Sequence, residues 1–273
     1  MNLNNLLRLA FEEDISSVDL TSEAIFTNSD VSTAVLISKD KGILSGIDVF
    51  QAAFQYFDCT IHFECYKSNG DQLSEGDAIC TIKGLTKSIL SAERVALNLL
   101  QRMSGIATMT RACVDAINGT DTRIVDTRKT APGLRLLDKQ AVRQGGGFNH
   151  RFNLSDGILI KDNHIKASGS IENAILRAKK YAPHTVKIEV EVESVSDFII
   201  AQAAGADIIM LDNMSNEDMA SCVKLKREDC LLEASGNMSL ERLIDVAKTG
   251  VDLISVGALT HSVKAMDLSL RFE

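Results

Sequence analysis

The chain has 273 residues, 45% of them hydrophobic, which is enough for one large domain or two modest ones with a sizeable core. It lacks an uncharged apolar run of 18 residues, which excludes a membrane-spanning helix, and its start lacks the basic segment of a signal peptide. The net charge of −8 argues against general nucleic-acid binding. The six cysteines form no C-x-x-C pair, which favours free, buried thiols in the cytoplasm over disulfides or zinc.

The first hundred residues predict an α+β domain. Residues 31–50 and 59–84 carry alternating apolar segments separated by Asn-Gly, Glu-Gly and Lys-Gly turns. Residues 88–117 then have helical periodicity, with a break expected near Ser104-Gly105. We therefore assign an N-terminal α+β domain to residues 1–107.

The second half alternates apolar strands with amphipathic helices. This rhythm predicts a parallel sheet covered by helices, and the even spacing favours a closed or partly closed α/β barrel, at residues 108–259, over a doubly wound sheet. Six strands are found where a full barrel has eight, so we expect an incomplete barrel. The tail, 260–273, could pack with the first domain. The six predicted strands are TRIVDT (122–127), GILIKD (157–162), KIEVEV (187–192), DIIMLD (207–212), LLEASG (231–236) and LISVG (253–257).

Polar residues end all six strands, and such ends meet at one rim of a parallel barrel. The rim segment 123–166 holds nine Lys or Arg against four Asp, which favours an anion site over a solvated helix face. Arginine binds carboxylate or phosphate as a fork, whereas lysine acts as a point charge. The three glycines 145–147 predict a mobile or tight turn that delivers His150-Arg151 to the rim. The basic candidates are Arg128, Lys129, His150, Arg151, Lys161 and His164.

The last two strand ends suggest a phosphate site. Ser235-Gly236-Asn237 and Val256-Gly257-Ala258 each follow a strand and precede a helix, where glycine lets backbone N–H groups approach an anion. Two tight turns that simply need glycine are the alternative interpretation.

Two acidic strand ends suggest a metal site. Glu191 and Asp212 end neighbouring strands, and such carboxylates suit Mg²⁺ shared with substrate oxygens. Glu189 and Glu193 share the alternation of Glu191, so the sequence does not choose among the three. Ion pairing with Lys129 or Lys161 is the structural alternative.

A long motif resembles the signature of the quinolinate phosphoribosyltransferase family. The motif is DTRKTAPGLRLLDKQAVRQGGGFNHRFNLSDGILIKDNHI (126–165), and the similarity runs from about residue 10 to the end. Further segments match in order: SAERVALNLLQRMSGIAT (91–108), EVEVES (189–194), MLDNMS (210–215), EASGNMS (233–239) and SVGALTHS (255–262).

The resemblance implies a sandwich domain followed by an incomplete barrel, and a reaction of quinolinate with 5-phosphoribosyl 1-pyrophosphate (PRPP). The products would be nicotinate mononucleotide, pyrophosphate and carbon dioxide, in de novo NAD biosynthesis. It also implies a homodimer with shared sites, and hexamers of such dimers are plausible. Neither a membrane nor a nucleic acid would be a partner.

The resemblance further implies a role for each matching residue. Arg94 would reach the partner subunit's barrel, and Lys129, Glu191 and Asp212 would be the catalytic residues that serve PRPP and Mg²⁺. Quinolinate would be held by Thr127, Arg128, Arg151 and Lys161, with His150 near it. The 5-phosphate would be held by Ser235, Gly236, Asn237, Val256, Gly257 and Ala258.

Two other activities stay open at this point. A phosphoribosyltransferase acting on nicotinate would need fewer cations than Arg128, Arg151 and Lys161 provide. A barrel aldolase or isomerase could use Lys161 as a Schiff base, but it would leave the paired arginines without a role.

Overall fold

The computed structural model describes residues 2–273, which form eleven helices and twelve strands. The helices are α1 Leu3–Asp14, α2 Leu20–Ile25, α3 Ile47–Phe57, α4 Thr86–Ala116, α5 Arg135–Gln144, α6 Asp162–Ser168, α7 Ile171–Tyr181, α8 Val195–Ala203, α9 Asn216–Leu225, α10 Leu240–Ala247 and α11 Ala258–His261. The strands are β1 Val31–Ser38, β2 Gly42–Ile43, β3 His62–Cys65, β4 Gln72–Leu73, β5 Ala78–Leu85, β6 Arg123–Val125, β7 Ile158–Ile160, β8 Ile188–Val192, β9 Ile208–Asp212, β10 Leu231–Ser235, β11 Leu253–Ser255 and β12 Leu268–Phe272.

The chain divides into two compact units. The first runs up to Arg111 and includes 130–146 and 262–273, whereas the second contains Ala112–Lys129 and Gly147–His261. The sequence-based division at residue 107 placed 130–146 with the barrel, but this segment, which contains α5, groups with the first unit. Among the described residues, none of the helices is both long and apolar enough to cross a membrane.

The first unit is built on an antiparallel sheet with the strand order β12-β1-β5-β3. The C-terminal strand β12 pairs with β1, from Ala34 opposite Phe272 to Ser38 opposite Leu268. Helix α3 packs its aromatic side chains on this sheet, with the rings of Phe54 and Phe63 5.9 Å apart. All six cysteines are free, and Cys59 and Cys65 are exposed rather than buried as predicted.

Helix α4 is continuous over 31 residues, so the break predicted near Ser104-Gly105 is wrong. The glycine serves close packing instead. A Cβ atom at Gly105 would lie 2.1 Å from the carbonyl oxygen of Lys264, which is closer than any side chain allows. The Ser104 hydroxyl accepts a hydrogen bond from the Ser45 amide, so both residues hold neighbouring chain segments rather than interrupting the helix.

The second unit is a parallel six-stranded sheet with the order β6-β11-β10-β9-β8-β7. These are the six strands expected from the sequence, and β6 and β7 are its outer strands, which confirms an incomplete barrel. Ser194 and Ser215 cap α8 and α9 by accepting from the backbone N–H of Asp197 and Asp218. Because all six strands are parallel, their carboxyl ends lie at the same edge of the sheet.

Candidate active site

A cavity of about 450 Å³, here called the rim cavity, opens at the carboxyl ends of the parallel strands. Nine of its lining residues are those that the sequence singled out: Thr127, Arg128, Lys129, His150, Arg151, Lys161, Glu191, Asp212 and Ser235. Four others were not predicted: Leu159, Met210, Glu233 and Ser255. The cavity therefore brings cations, carboxylates and apolar walls together at one place.

A second cavity of about 510 Å³, here called the loop cavity, adjoins the first. It is lined by the turns after β10 and β11, including Gly236, Asn237, Gly257 and Ala258. The two cavities have five lining residues in common, namely Thr127, Lys129, Asp212, Ser235 and Ser255. A molecule in each could therefore meet at this shared edge.

The turns after β9 and β10 hold an unusual backbone. Asn213 and Asn237 have positive φ values of 53° and 48°, and Gly236, which directly precedes Asn237, has a φ of 90°. A Cβ at Gly236 would lie 2.1 Å from Asn213 Oδ1, so only glycine fits there. Left-handed residues other than glycine are uncommon and cluster at ligand sites. Gly236 therefore leaves room for the Asn213 side chain, and the two left-handed turns border the loop cavity.

The turn after β11 lies against Lys129. A Cβ at Gly257 would be 3.3 Å from Lys129 Cδ, and Thr260 Oγ1 donates to the Lys129 carbonyl at 2.9 Å. Val256 differs from its neighbours, because it is buried and its amide donates to the Val125 carbonyl in the sheet. Gly257 and Ala258 line the loop cavity, whereas Val256 is outside the lining.

The basic wall of the rim cavity contains an unsatisfied donor. Arg151 donates from Nη1 to the Gly157 carbonyl at 2.8 Å, but its buried Nε has no hydrogen-bond partner among the described residues. Burial, followed by the like charge of Arg128, lowers the pKa of Arg151, and Glu189 opposes this shift. Two guanidinium groups close enough to repel favour an anion between them.

The acidic wall combines a metal-compatible pair with an ion pair. Lys161 Nζ lies 2.6 Å from Glu191 Oε2, so the ion pairing considered from the sequence does occur. Asp212 Oδ2 accepts from Asn213 Nδ2 at 2.7 Å. Of the three glutamates along β8 and its end, Glu191 lines the rim cavity, Glu189 is buried and Glu193 is exposed. Glu191 and Asp212 offer the hard oxygen ligands that Mg²⁺ prefers, and both have partial solvent access.

A buried carboxylate positions His150. Asp126, fully buried after β6, accepts from the His150 backbone N–H at 2.8 Å and from Asn149 Nδ2 at 2.7 Å. Phe148 forms an isolated parallel bridge with Val125. The glycines before it form a tight turn, since Gly145 caps α5 and Gly146 has a φ of 95°. This explains how the segment 148–151 is held beside the strand ends.

Glu233 is a charged residue that the sequence analysis missed, whereas Glu189 was left open there as an alternative to Glu191. Both lie inside strands and are almost fully buried, at 4% and 1% exposure. The signal was present in the sequence, because a charged residue in the middle of a buried parallel strand is rare without a function or a partner.

Comparison with known proteins decides the family. The "Quinolinate phosphoribosyl transferase, N-terminal domain" matches residues 19–104, and the corresponding C-terminal domain matches 106–271. The chain belongs to the quinolinate phosphoribosyltransferase family. The predicted family, fold class and activity, a decarboxylating pentosyltransferase acting on quinolinate, are thereby confirmed. The aldolase and isomerase alternatives are not supported.

Curated relatives and solved structures agree with this assignment. The chain is 46% identical to the "Probable nicotinate-nucleotide pyrophosphorylase [carboxylating]" of Bacillus subtilis (strain 168), over 99% of this chain and 93% of that protein. A crystal structure of NadC from Streptococcus pyogenes is 44% identical, with a TM-score of 0.95, and covers 99% of this chain and 97% of that one. A NadC deletion mutant superposes with a TM-score of 0.96 at 45% identity, over 98% and 95% of the two chains.

Arg94 is the residue that the family resemblance assigned to the partner subunit's site. It lies on α4 in the first unit, where it is exposed and lines a cavity with residues of α1, among them Leu6 and Glu13.

Proposed function

We propose that quinolinate binds in the rim cavity and PRPP in the loop cavity, so that the two substrates react at their shared edge. The observation that carries this proposal is the buried, unsatisfied Nε of Arg151, a residue that lines the rim cavity together with Arg128 and Lys161. Quinolinate brings two adjacent carboxylates, whereas a monocarboxylate would leave part of this positive charge uncompensated. Thr127 and His150 would complete the quinolinate-binding part of the rim cavity.

The loop cavity would hold the 5-phosphate of PRPP. The left-handed backbone of Gly236 and Asn237, which both line the loop cavity, supports a cradle of backbone N–H groups. Ser235, Gly257 and Ala258 would add further contacts, while Val256 would act only by holding this turn against β6. Lys129 at the shared edge would neutralise phosphate or pyrophosphate oxygens.

Glu191 and Asp212 would hold Mg²⁺ together with oxygens of PRPP and water. Two carboxylates are too few for an all-protein cage but suit a cation that is shared with a substrate. The ion would take up the charge of the departing pyrophosphate. Lys161, which pairs with Glu191 in the absence of ligands, would turn to a quinolinate carboxylate when the cation occupies the acidic wall.

The reaction needs no covalent nucleophile. As pyrophosphate leaves C1 of the ribose, positive charge develops there, and the carboxylates of Glu191 and Asp212 favour it. The quinolinate nitrogen attacks C1, and the resulting pyridinium can hold an electron pair at C2 when the adjacent carboxylate departs as carbon dioxide. The protein contributes orientation and electrostatics. A cytoplasmic location stays a prediction.

The experiment that tests this assignment follows both products. With quinolinate labelled in its 2-carboxylate, wild-type enzyme should release labelled carbon dioxide only when PRPP and Mg²⁺ are both present. Pyrophosphate should appear in equal amounts. Carbon dioxide release without PRPP, or pyrophosphate release without quinolinate, would contradict a site in which the two substrates react with each other.

The active site is proposed to be shared between the subunits of a homodimer, and hexamers of such dimers are compatible with it. Exposed Arg94 would enter the partner's rim cavity. Arg94→Ala and Lys161→Ala proteins should each lose at least ~99% of activity, because the loss of a contact that positions a substrate can cost ~10²-fold in rate. After subunit exchange, each mixed dimer carries one intact site and one doubly damaged site. In an equal mixture about half of the dimers are mixed, and each of these should have half of the activity of a wild-type dimer.

The control for subunit exchange is a mixture of wild-type and affinity-tagged wild-type chains, followed by mass measurement of the mixed species. If exchange occurs and the two variants still show no recovery, the shared site is wrong. Recovery from mixing Lys161→Ala with Asp212→Asn would also argue against it, because those two residues belong to the same cavity.

A further inference from the structure

Three ionisable side chains meet in the interior of the barrel, beneath the rim cavity. His150 Nε2 lies 2.9 Å from Glu189 Oε2 and 3.7 Å from Glu233 Oε2, and one ligand-type atom from each residue falls within 4.8 Å of the others. Neither oxygen of Glu233 has a hydrogen-bond partner among the described residues. The reaction outlined above gives these two glutamates no role.

The imidazole of His150 has a defined tautomer. The Arg151 backbone N–H donates to His150 Nδ1 at 2.7 Å, so Nδ1 presents its lone pair and the neutral ring carries its proton on Nε2. That N–H faces the two carboxyl groups. Since a cation would require the Nε2 lone pair, the arrangement suits proton sharing better than metal binding.

The cluster favours a neutral Glu233. Burial in the barrel core and the negative charge of Glu189 raise the pKa of Glu233 to about 8, while His150 and the Ser255 side chain oppose the shift. Asp126, beyond His150, adds to the rise. The strands that flank β10 contribute Met210 and Ser255 to the same cavity, and neither is charged. At neutral pH Glu233 is therefore largely a neutral acid that holds a proton.

Glu233 also lies between two cavities. It lines the rim cavity, and it lines a further cavity of about 360 Å³ formed by residues at the starts of the strands, such as Arg123, Lys187 and Leu253. His150 and Arg151 line both cavities as well. Glu233 thus borders both the rim cavity and this further cavity, which is large enough to hold water.

We infer that Glu233 is the general acid that protonates C2 of the pyridine ring after carbon dioxide has left. The C2–carboxylate bond breaks, its electron pair stays on C2, and the Glu233 carboxyl proton forms the new C–H bond. Glu233 is left as a carboxylate beside Glu189, and water in the lower cavity returns the proton. Until that proton returns, His150 Nε2–H stabilises the Glu233 carboxylate. The inference rests on the proposed placement of quinolinate in the rim cavity.

The test is Glu233→Gln, which keeps the shape and neutrality of the acid but has no transferable proton. Without prompt protonation, the C2 carbanion recaptures carbon dioxide. Carbon dioxide release should fall ~10²-fold or more, the usual contribution of a general acid. Pyrophosphate release in the first turnover should fall much less, and the undecarboxylated quinolinate nucleotide should be detectable by mass spectrometry. Phthalate carries the adjacent carboxylates of quinolinate but cannot react at nitrogen, so it reports binding alone. The dissociation constants of phthalate and of PRPP should stay within about threefold of wild type, as an isosteric neutral change implies.

Glu228→Gln, an exposed loop carboxylate changed in the same way, is the matched control and should behave as wild type. Equal losses of pyrophosphate and carbon dioxide, with weaker phthalate binding, would show a packing role and overturn the inference. Equal and undiminished release of both products would overturn it too. A wild-type enzyme that fails to couple the two substrates would contradict the proposed function instead.

The wild-type protein offers a second test that needs no variant. A general acid acts only while it is protonated, so the ratio of carbon dioxide to pyrophosphate in the first turnover should be one below pH 7. That ratio should decrease as the pH rises through about 8, the pKa of Glu233. A ratio of one up to pH 9.5 would contradict a proton donated by this carboxyl group.

Discussion

Asp212→Asn should reduce kcat by ~10²–10³-fold, the range expected when a preorganised electrostatic group is lost from the reacting centre. The carboxamide keeps one oxygen ligand and the hydrogen bond to Asn213, but it removes the charge that a divalent cation requires. Glu191→Gln should act in the same direction, and it also releases Lys161 from its 2.6 Å ion pair. Asp212→Asn is therefore the cleaner variant.

The measurement combines turnover with calorimetry. Phthalate, which carries the adjacent carboxylates of quinolinate but cannot react at nitrogen, should bind Asp212→Asn within about threefold of wild type, because the acidic wall does not hold the diacid. Asp245→Asn, on the exposed side of α10, is the matched control. Wild-type turnover that survives complete removal of Mg²⁺ by a chelator would contradict the metal assignment.

Arg151→Ala should have the second large effect, and it should weaken the binding of quinolinate rather than that of PRPP. The guanidinium is half-buried, its Nε has no partner within residues 2–273, and Arg128 is close enough to lower its pKa. A bound diacid would both accept a hydrogen bond from this Nε and reduce the repulsion between the two guanidinium groups. Removing one cation should weaken phthalate and quinolinate binding ~10²-fold or more, as for one partner of a buried charge pair.

Binding of PRPP to Arg151→Ala should change by less than about threefold, since the loop cavity does not include this residue. Arg128→Ala should repeat the pattern. Lys166→Ala removes an exposed cation from the same basic segment and serves as the control. Equal losses for quinolinate and PRPP would contradict the division of the site into two cavities.

Much of the barrel and its rim could be predicted from the sequence. Six apolar runs ended in polar residues, and in a parallel sheet those ends must meet at one edge. Nine of the candidate residues, from Thr127 to Ser235, line the rim cavity for this reason. The serine caps of α8 and α9 were equally predictable, because a cap is a contact between residues three positions apart.

Features that depend on distant contacts escaped prediction. Gly105 was taken for a helix breaker, but it allows close packing on Lys264, which lies 159 positions further along the chain. The segment 130–146 groups with the first unit, although it lies between two barrel strands in the sequence. Glu189 and Glu233 sit on different strands, and only the folded sheet places both beside His150.

The most direct test of the site is competition between ligands of different charge. Quinolinate turnover is measured with wild-type enzyme in the presence of increasing phthalate or nicotinate. A pocket built for two carboxylates should accept phthalate as a competitive inhibitor and should discriminate against nicotinate by up to ~10⁴-fold, as a site does when buried polar groups lose their partners. Comparable use of nicotinate, or phthalate that fails to compete, would contradict the account.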